Sequence, residues 1–275
     1  MPDIEEEFIR DCWYVAGWSG DFTHALTPLR ILDEPIVVFR TEAGVPAALE
    51  DACPHRKLPL SKGRLTGETV ECGYHGLTFD CSGTCVRAPT QDGPPPAVTV
   101  RSYPVEDRWG ILWIWMGDAN KANPDKIFEI PNYDNPAWGR TQGGSMDIAC
   151  HYLYVVDNLL DPSHVAWVHV SSFAGAGTGN LPLDLEKLDD GIIVSRWVMD
   201  APPPPYYEPI LPFSGNCDRK QHYECRLPST AINMSVYTRA GTGGDNDNLP
   251  DDAFLNISYN FCLLYTSDAA DDVRS

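Results

Sequence analysis

Long apolar runs are missing from this 275-residue chain: stretches such as Ile111–Met116 fall far short of the ~20 residues that cross a bilayer. Positive charge is scarce too, with 20 Lys+Arg against 39 Asp+Glu and a formal net charge of −19. Such a balance repels phosphate backbones and anionic headgroups, so neither nucleic acid nor membrane is expected as a partner. The first ten residues, MPDIEEEFIR, have neither the basic flank nor the apolar stretch of a secretory signal, and a soluble cytoplasmic protein is the expectation. There is no internal repeat. Hydrophobic residues, by contrast, reach 43% against 21% charged, enough to bury a core and to exclude disorder by composition. The nine cysteines are an odd number, and in a reducing compartment they read as metal ligands and buried thiols rather than disulfides.

At ~150 residues per domain the length allows one large domain or two. Up to Asp118, segments such as 31–40, 45–54, 69–80 and 108–117 are rich in β-branched and aromatic residues and are bounded by Gly, Pro and Asp. They predict short strands of a small sandwich or barrel. Residues 119–144 are polar and contain Pro and Asn, the composition of a linker. Residues 150–169, with Pro162 inside, are the best helical candidate, and 192–199, 222–227, 231–239 and 254–261 alternate like strands of a larger sheet. The expected organisation is a β domain over 1–118, a linker over 119–144 and an α+β domain over 145–275.

Two motifs carry chemistry. Cys53-Pro54-His55 and Cys72-Gly73-Tyr74-His75 are separated by sixteen residues, and each lies in a turn after a predicted strand. Two thiolates and two imidazoles are the ligands of a Rieske [2Fe-2S] cluster, in which two His replace two Cys on one iron. A Cys₂His₂ zinc site uses the same ligand types but commonly keeps like ligands together, C-x₂₋₄-C and H-x₃₋₅-H, whereas here Cys and His are mixed within each pair. Gly73 and Gly76 let the second loop bend closely, and Tyr74 is placed to hydrogen-bond a sulfur. Cys81 and Cys85 flank a Ser82-Gly83 turn and read as ordinary small hydrophobes.

The second motif is DNLLDPSHVAWVH, with Asp157, Asn158, Asp161, His164 and His169. In a regular helix five residues turn ~500°, leaving the two His about 140° apart. A break at Pro162 or a one-residue bulge is therefore predicted to bring both rings together. Two His and a carboxylate on one face form the facial triad of non-haem Fe(II) oxygenases. The plainer reading is that Asp161 before Pro162 is a helix N-cap followed by proline at the first helical position.

In this order, C-x-H, C-x-x-H and D-x-x-H-x₄-H, the residues resemble the Rieske non-haem iron oxygenases over nearly the whole chain. The segments 12–18, 49–65, 72–80, 110–118 and 157–169 are similar to vanillate O-demethylase oxygenase components and related aromatic monooxygenases. The resemblance implies an α+β protein in which an all-β Rieske domain precedes a helix-grip-like antiparallel catalytic sheet. Cys53 and Cys72 would hold the inner iron of the cluster and His55 and His75 the outer one, and His164 and His169 would bind a mononuclear Fe(II). Asp161 would bridge His164 to the cluster ligand His75 of a neighbouring subunit in a homotrimer, with Asn158 supporting the site.

The resemblance also implies O₂, a small aromatic substrate, and electrons that reach the chain from NAD(P)H only through a separate flavin/iron-sulfur reductase or ferredoxin. The reaction would be O-demethylation or hydroxylation of a vanillate-like methoxybenzoate. A ring-hydroxylating dioxygenase or alkyl hydroxylase is the runner-up, and an electron carrier without oxygenase chemistry is the alternative of another class. In this family the third iron ligand is an Asp on a late helix, and no match precedes the end of the chain. Asp268, Asp271 and Asp272 lie in a tail, from about Cys262, that resembles a translated adaptor. A missing natural C-terminus and weak binding of the mononuclear iron are the expectations. Arg196, Arg226 and Arg239 are strand-borne candidates for a substrate anion, with surface ion pairing as their plainer role.

Overall fold

The computed structural model describes residues 8–89, 92–93, 95–169, 171–173, 178–243 and 248–262. Two units are separable, one running to Ala149 and the other spanning Cys150–Cys262. Among the described residues no helix is long and apolar enough to cross a membrane.

The first unit is all β among its regular elements, apart from single 3-10 turns. Its strands are β1 (Cys12–Trp18), β2 (Thr27–Ile31), β3 (Glu34–Arg40), β4 (Pro46–Glu50), β5 (Arg64–Thr66), β6 (Thr69–Glu71), β7 (Thr78–Phe79), β8 (Cys85–Arg87), β9 (Ser102–Tyr103), β10 (Val105–Arg108) and β11 (Ile111–Met116). They form three small antiparallel sheets in the orders β1-β11-β10, β2-β3-β4-β9 and β5-β6-β7-β8. The segment 31–40, expected as one strand, is interrupted: Leu32 and Asp33 take φ of 50° and 63° and turn β2 into β3. Local turn geometry overrode a continuous apolar pattern there.

All six residues of β11 are buried, and Trp115 meets Trp13 of β1 edge-to-face with ring centroids 5.5 Å apart. Burying each such side chain stabilises the fold by ~1.5–3 kcal/mol. The first half of the expected linker packs here as well. Trp13 Nε1 donates to the Asn123 carbonyl at 2.8 Å, and Trp109 Nε1 to that of Phe128 at 3.1 Å.

The second unit is α+β. Two short helices, α1 (Tyr152–Leu160) and α2 (Pro162–Val168), precede a five-stranded antiparallel meander of β12 (Asp184–Leu188), β13 (Gly191–Ala201), β14 (Cys217–Arg226), β15 (Thr230–Arg239) and β16 (Phe254–Phe261). Strand β12 was not legible in the sequence, because it is an almost fully exposed edge, Asp-Leu-Glu-Lys-Leu, with no buried face to impose a period. Helix α1 packs on β14 and β15, and Asn233 Nδ2 on β15 donates to the Leu159 carbonyl at 2.9 Å.

Candidate cluster and iron sites

The two Cys/His loops of the first unit are closed in the same way. The Cys53 amide donates to the Leu58 carbonyl at 2.9 Å, and the Cys53 carbonyl accepts from Lys57 N–H at 2.8 Å. The Cys72 amide likewise donates to Leu77 at 2.8 Å, and its carbonyl accepts from Gly76 at 3.1 Å. In both loops the residue four after the cysteine is left-handed, Lys57 at φ 59° and Gly76 at φ 71°. A Cβ on Gly76 would sit 2.8 Å from Pro89 Cγ, so that turn requires glycine. Asp51 anchors the first loop, accepting from the Ser61 amide and hydroxyl, each at 2.6 Å.

These closures sort the four side chains by type. Cys53 and Cys72 are 2% exposed, sit in the apolar core with Val37, Leu60 and Phe79, and lie against each other. Burial pushes the Cys53 thiol up, while the amides of His55 and Arg56, aimed at its sulfur, pull it the other way. His55 and His75 stand at the rim, ring centroids 4.7 Å apart, with His55 exposed and Tyr74 tilted over His75 at 4.0 Å. The buried His75 Nδ1 has no hydrogen-bond partner, an orphan that a metal bond would satisfy. Among the described residues no three His, Cys, Asp or Glu converge as they would around one ion. A buried thiol pair beside an imidazole pair at the rim, one ring exposed and the other partly buried, suits a two-iron cluster with unlike ends better than a tetrahedral Zn²⁺.

In the second unit the helix breaks at Asp161, whose φ of −90° and ψ of 102° end α1 and start α2. The carboxylate caps α2, accepting from Ser163 N–H at 2.7 Å, and proline occupies the first turn. The break precedes both histidines, so it is not what unites them. His169 does that by lying at the end of α2 with φ −115° and ψ 20°, off the helical path. The His164 and His169 rings are 5.5 Å apart at 72°, and Phe173 stacks on His169 at 4.5 Å.

The buried Nδ1 of His164 faces Asp161 Oδ2 at 3.4 Å, too far for a hydrogen bond. Desolvation raises the Asp161 pKa, but the Ser163 amide and the nearby His164 outweigh it, and the carboxyl is held below its usual range. Asp157 and Asn158 are exposed on α1, and no hydrogen bond joins the Asn158 side chain to either histidine among the described residues. Asp268, Asp271 and Asp272 lie outside the described residues.

The three arginine candidates divide. Arg226 pairs with Asp190 and Glu224, and Arg239 with Asp252, as surface ion pairs. Arg196 is not on the surface. It is 3% exposed and fully engaged, donating to Gln221 Oε1 at 2.7 Å, the Thr178 carbonyl at 2.6 Å and the Pro162 carbonyl at 3.0 Å. It ties the start of α2 to the sheet. Desolvation lowers its pKa, and Arg219 nearby adds to the effect. Arg219 itself is 1% exposed, and it lies in the part of β14 that precedes the alternating stretch 222–227, where the sequence pattern does not mark a strand. Had β14 been extended back to Cys217, the period of two would have placed Arg219 on one face with Gln221 and Tyr223.

The comparisons with known proteins agree with this geometry. Residues 12–104 match the Rieske [2Fe-2S] domain, and residues 148–258 match the vanillate O-demethylase oxygenase C-terminal domain. The chain is 37% identical over 240 residues to the iron-sulfur subunit of the toluene-4-sulfonate monooxygenase system of Comamonas testosteroni, covering 86% of this chain and 69% of that one. It is 35% identical over 244 residues to a vanillate O-demethylase oxygenase subunit of Pseudomonas sp. (strain HR199 / DSM 7063), covering 86% and 68%. The crystal structure of dicamba monooxygenase bound to 3,6-dichlorosalicylic acid superposes with a TM-score of 0.79 at 32% identity, covering 88% of this chain and 71% of that one. With a Rieske domain followed by that C-terminal domain, the chain belongs to the Rieske oxygenases of the vanillate O-demethylase type, a family of oxidoreductases.

Proposed function

We propose that this chain is the oxygenase component of a multicomponent monooxygenase that O-demethylates or hydroxylates an aromatic compound of the methoxybenzoate class, using O₂ and electrons from a separate reductase or ferredoxin. The observation that carries this reading is the presence in one chain of two ligand sets, the paired thiols and imidazoles of the first unit and the His164–His169 pair of the second. The names of the relatives, a vanillate O-demethylase subunit and a toluene-4-sulfonate monooxygenase subunit, support an aromatic substrate.

In this reading Cys53 and Cys72 would hold one iron of the cluster, and His55 and His75 the other. His164 and His169 would hold the mononuclear iron. When bound, the cluster supplies electrons one at a time and the ferrous ion activates O₂. The burial of the two thiols keeps water from their end, while the exposed His55, with the half-buried His75 beside it, leaves the other end open to an electron donor or a neighbouring subunit. Asp161 orients His164 and stays ionised, so it stands ready to link His164 to His75 of a neighbouring subunit in a trimer. Hydroxylating the substrate's methyl group yields a hemiacetal that loses formaldehyde and leaves a phenol, and the other oxygen atom becomes water with two electrons and two protons.

Purified protein supplied with a surrogate reductase, NADH, O₂ and a panel of methoxybenzoates should release formaldehyde in proportion to substrate-stimulated NADH use. A cis-diol product would move it to the dioxygenases. Absence of stimulated NADH use across methoxylated, sulfonated and N-methylated aromatics would remove the reading.

A further inference from the structure

Buried polar side-chain atoms without a hydrogen-bond partner are few among the described residues, and those of the second unit lie around one place. They are His164 Nδ1, Thr178 Oγ1 and all three guanidinium nitrogens of Arg219. Arg196 links them, since it binds the Thr178 backbone and the Pro162 backbone two residues before His164, and its other partner, Gln221, is two residues along β14 from Arg219. Alternation along the strand puts Arg219, Gln221 and Tyr223 on one face, and the register brings Val198 and Tyr237 directly beside Arg219.

Among the described residues Arg219 has no carboxylate partner and no hydrogen bond of good geometry, only the Tyr237 hydroxyl as a polar neighbour; a guanidinium out of water in that state is strongly unfavourable, and a second one stands near it. The adjacent Asp218 does not compensate. Its carboxylate faces the other way and is taken up by the amides of Asp200 and Gly241, each at 2.8 Å. Asp161 accepts from the Ser163 amide at 2.7 Å and lies against His164. What surrounds Arg219 instead is aromatic: Tyr207 lies 4.7 Å from Tyr237, centroid to centroid, with Phe254 beside both. A fixed fork of donors next to ring faces suits a planar oxyanion carried on an aromatic ring.

We propose that Arg219 is the subsite for the anionic substituent, carboxylate or sulfonate, of the aromatic substrate, and that it sets the enzyme's preference for aromatic acids over neutral aromatics. The proposal rests on the monooxygenase reading above for the word substrate, and for the anion on a buried guanidinium that no carboxylate meets among the described residues. It also explains how a chain of net charge −19 admits an acid: the compensating positive charge is inside rather than on the surface.

The test uses the full chain with its cluster in place and isothermal titration with 4-methoxybenzoate, toluene-4-sulfonate and the neutral 4-methoxybenzamide. Arg219→Met should weaken both anions by roughly 10- to 150-fold, the loss of a desolvated charge-assisted pair, and leave the amide within about twofold. Arg219→Lys, which keeps the charge without the fork, should fall between. The urea midpoint of Arg219→Met should match or exceed that of the parent, and 4-methoxybenzoate should raise the parent's midpoint only. Equal anion affinity in parent and Arg219→Met overturns the proposal, as does failure of the parent to bind either anion. A lowered urea midpoint with unchanged anion binding would assign Arg219 to a carboxylate of the chain itself and also overturn it. The formaldehyde assay is independent. Formaldehyde release with Arg219-independent binding keeps the demethylase and discards the subsite; Arg219-dependent binding without formaldehyde keeps the subsite and discards the demethylase.

Discussion

Replacing Arg196 by Met tests how the second unit holds α2 in place. Arg196 is buried beneath the start of that helix and satisfies three acceptors: the Pro162 and Thr178 carbonyls and Gln221 Oε1. Methionine fills most of the volume but donates nothing. Each buried acceptor left unpaired costs ~1–3 kcal/mol, which summed over three sites overshoots, because removing a desolvated guanidinium returns part of it. A net loss of ~3–5 kcal/mol is expected, the range for breaking a buried charged network. Urea unfolding followed by circular dichroism measures it. The same assay on Arg219→Met, two residues along the sheet, should show no loss, because among the described residues that guanidinium has no carboxylate and no hydrogen bond of good geometry to forfeit. Pro162 lies two residues before His164, so Arg196→Met should also lower iron retention at the His164–His169 pair while leaving the cluster's visible spectrum intact. A destabilisation below ~1 kcal/mol, or equal losses at Arg196 and Arg219, would refute the reasoning.

Asp161→Asn should leave stability within about 1 kcal/mol, since Asn caps a helix about as well as Asp, while Asp161→Ala loses the cap at ~0.5–2 kcal/mol. Both should keep iron and acid-labile sulfide and lose most turnover; normal turnover in the Asn variant would show that the carboxylate has no electronic part. The equivalent left-handed positions of the cluster loops should respond oppositely: Lys57→Gly relieves strain and is neutral to stabilising by up to ~1 kcal/mol, whereas Gly76→Ala costs ~1–3 kcal/mol and cluster occupancy, read from thermal melts and iron content. Glu34 is partly desolvated, which raises its pKa, but Tyr103 at 2.6 Å together with Arg10 and Arg101 holds the carboxyl below its usual range. Its folded pKa is depressed, so the stability it contributes is present above the unfolded value of ~4.3 and is lost as pH falls through the folded one. Glu34→Gln should flatten the acid limb of the urea midpoint measured against pH, and an unchanged limb would remove Glu34 from the account.

The sequence by itself determined the cofactor chemistry and the fold class. Cys53, His55, Cys72 and His75 were legible because ligand type and spacing are written in the chain, and the strands were legible wherever one face is buried and the period of two survives. The break around Asp161 was readable for the same reason, since an Asp-Pro step has strong local preferences. Only the tertiary structure decided the rest. Folding sorted the mixed Cys/His pairs into a buried thiol pair and an imidazole pair at the rim, because loop closure 19 residues apart in sequence is a long-range matter. It brought the histidine rings together through the backbone of His169 at the helix end rather than through Pro162. It also gave two arginines of the same sheet face different surroundings, one hydrogen-bonded through all three nitrogens and one without such bonds among the described residues, a difference that depends on which carbonyls another segment delivers to that face and so is invisible to any pattern along the chain.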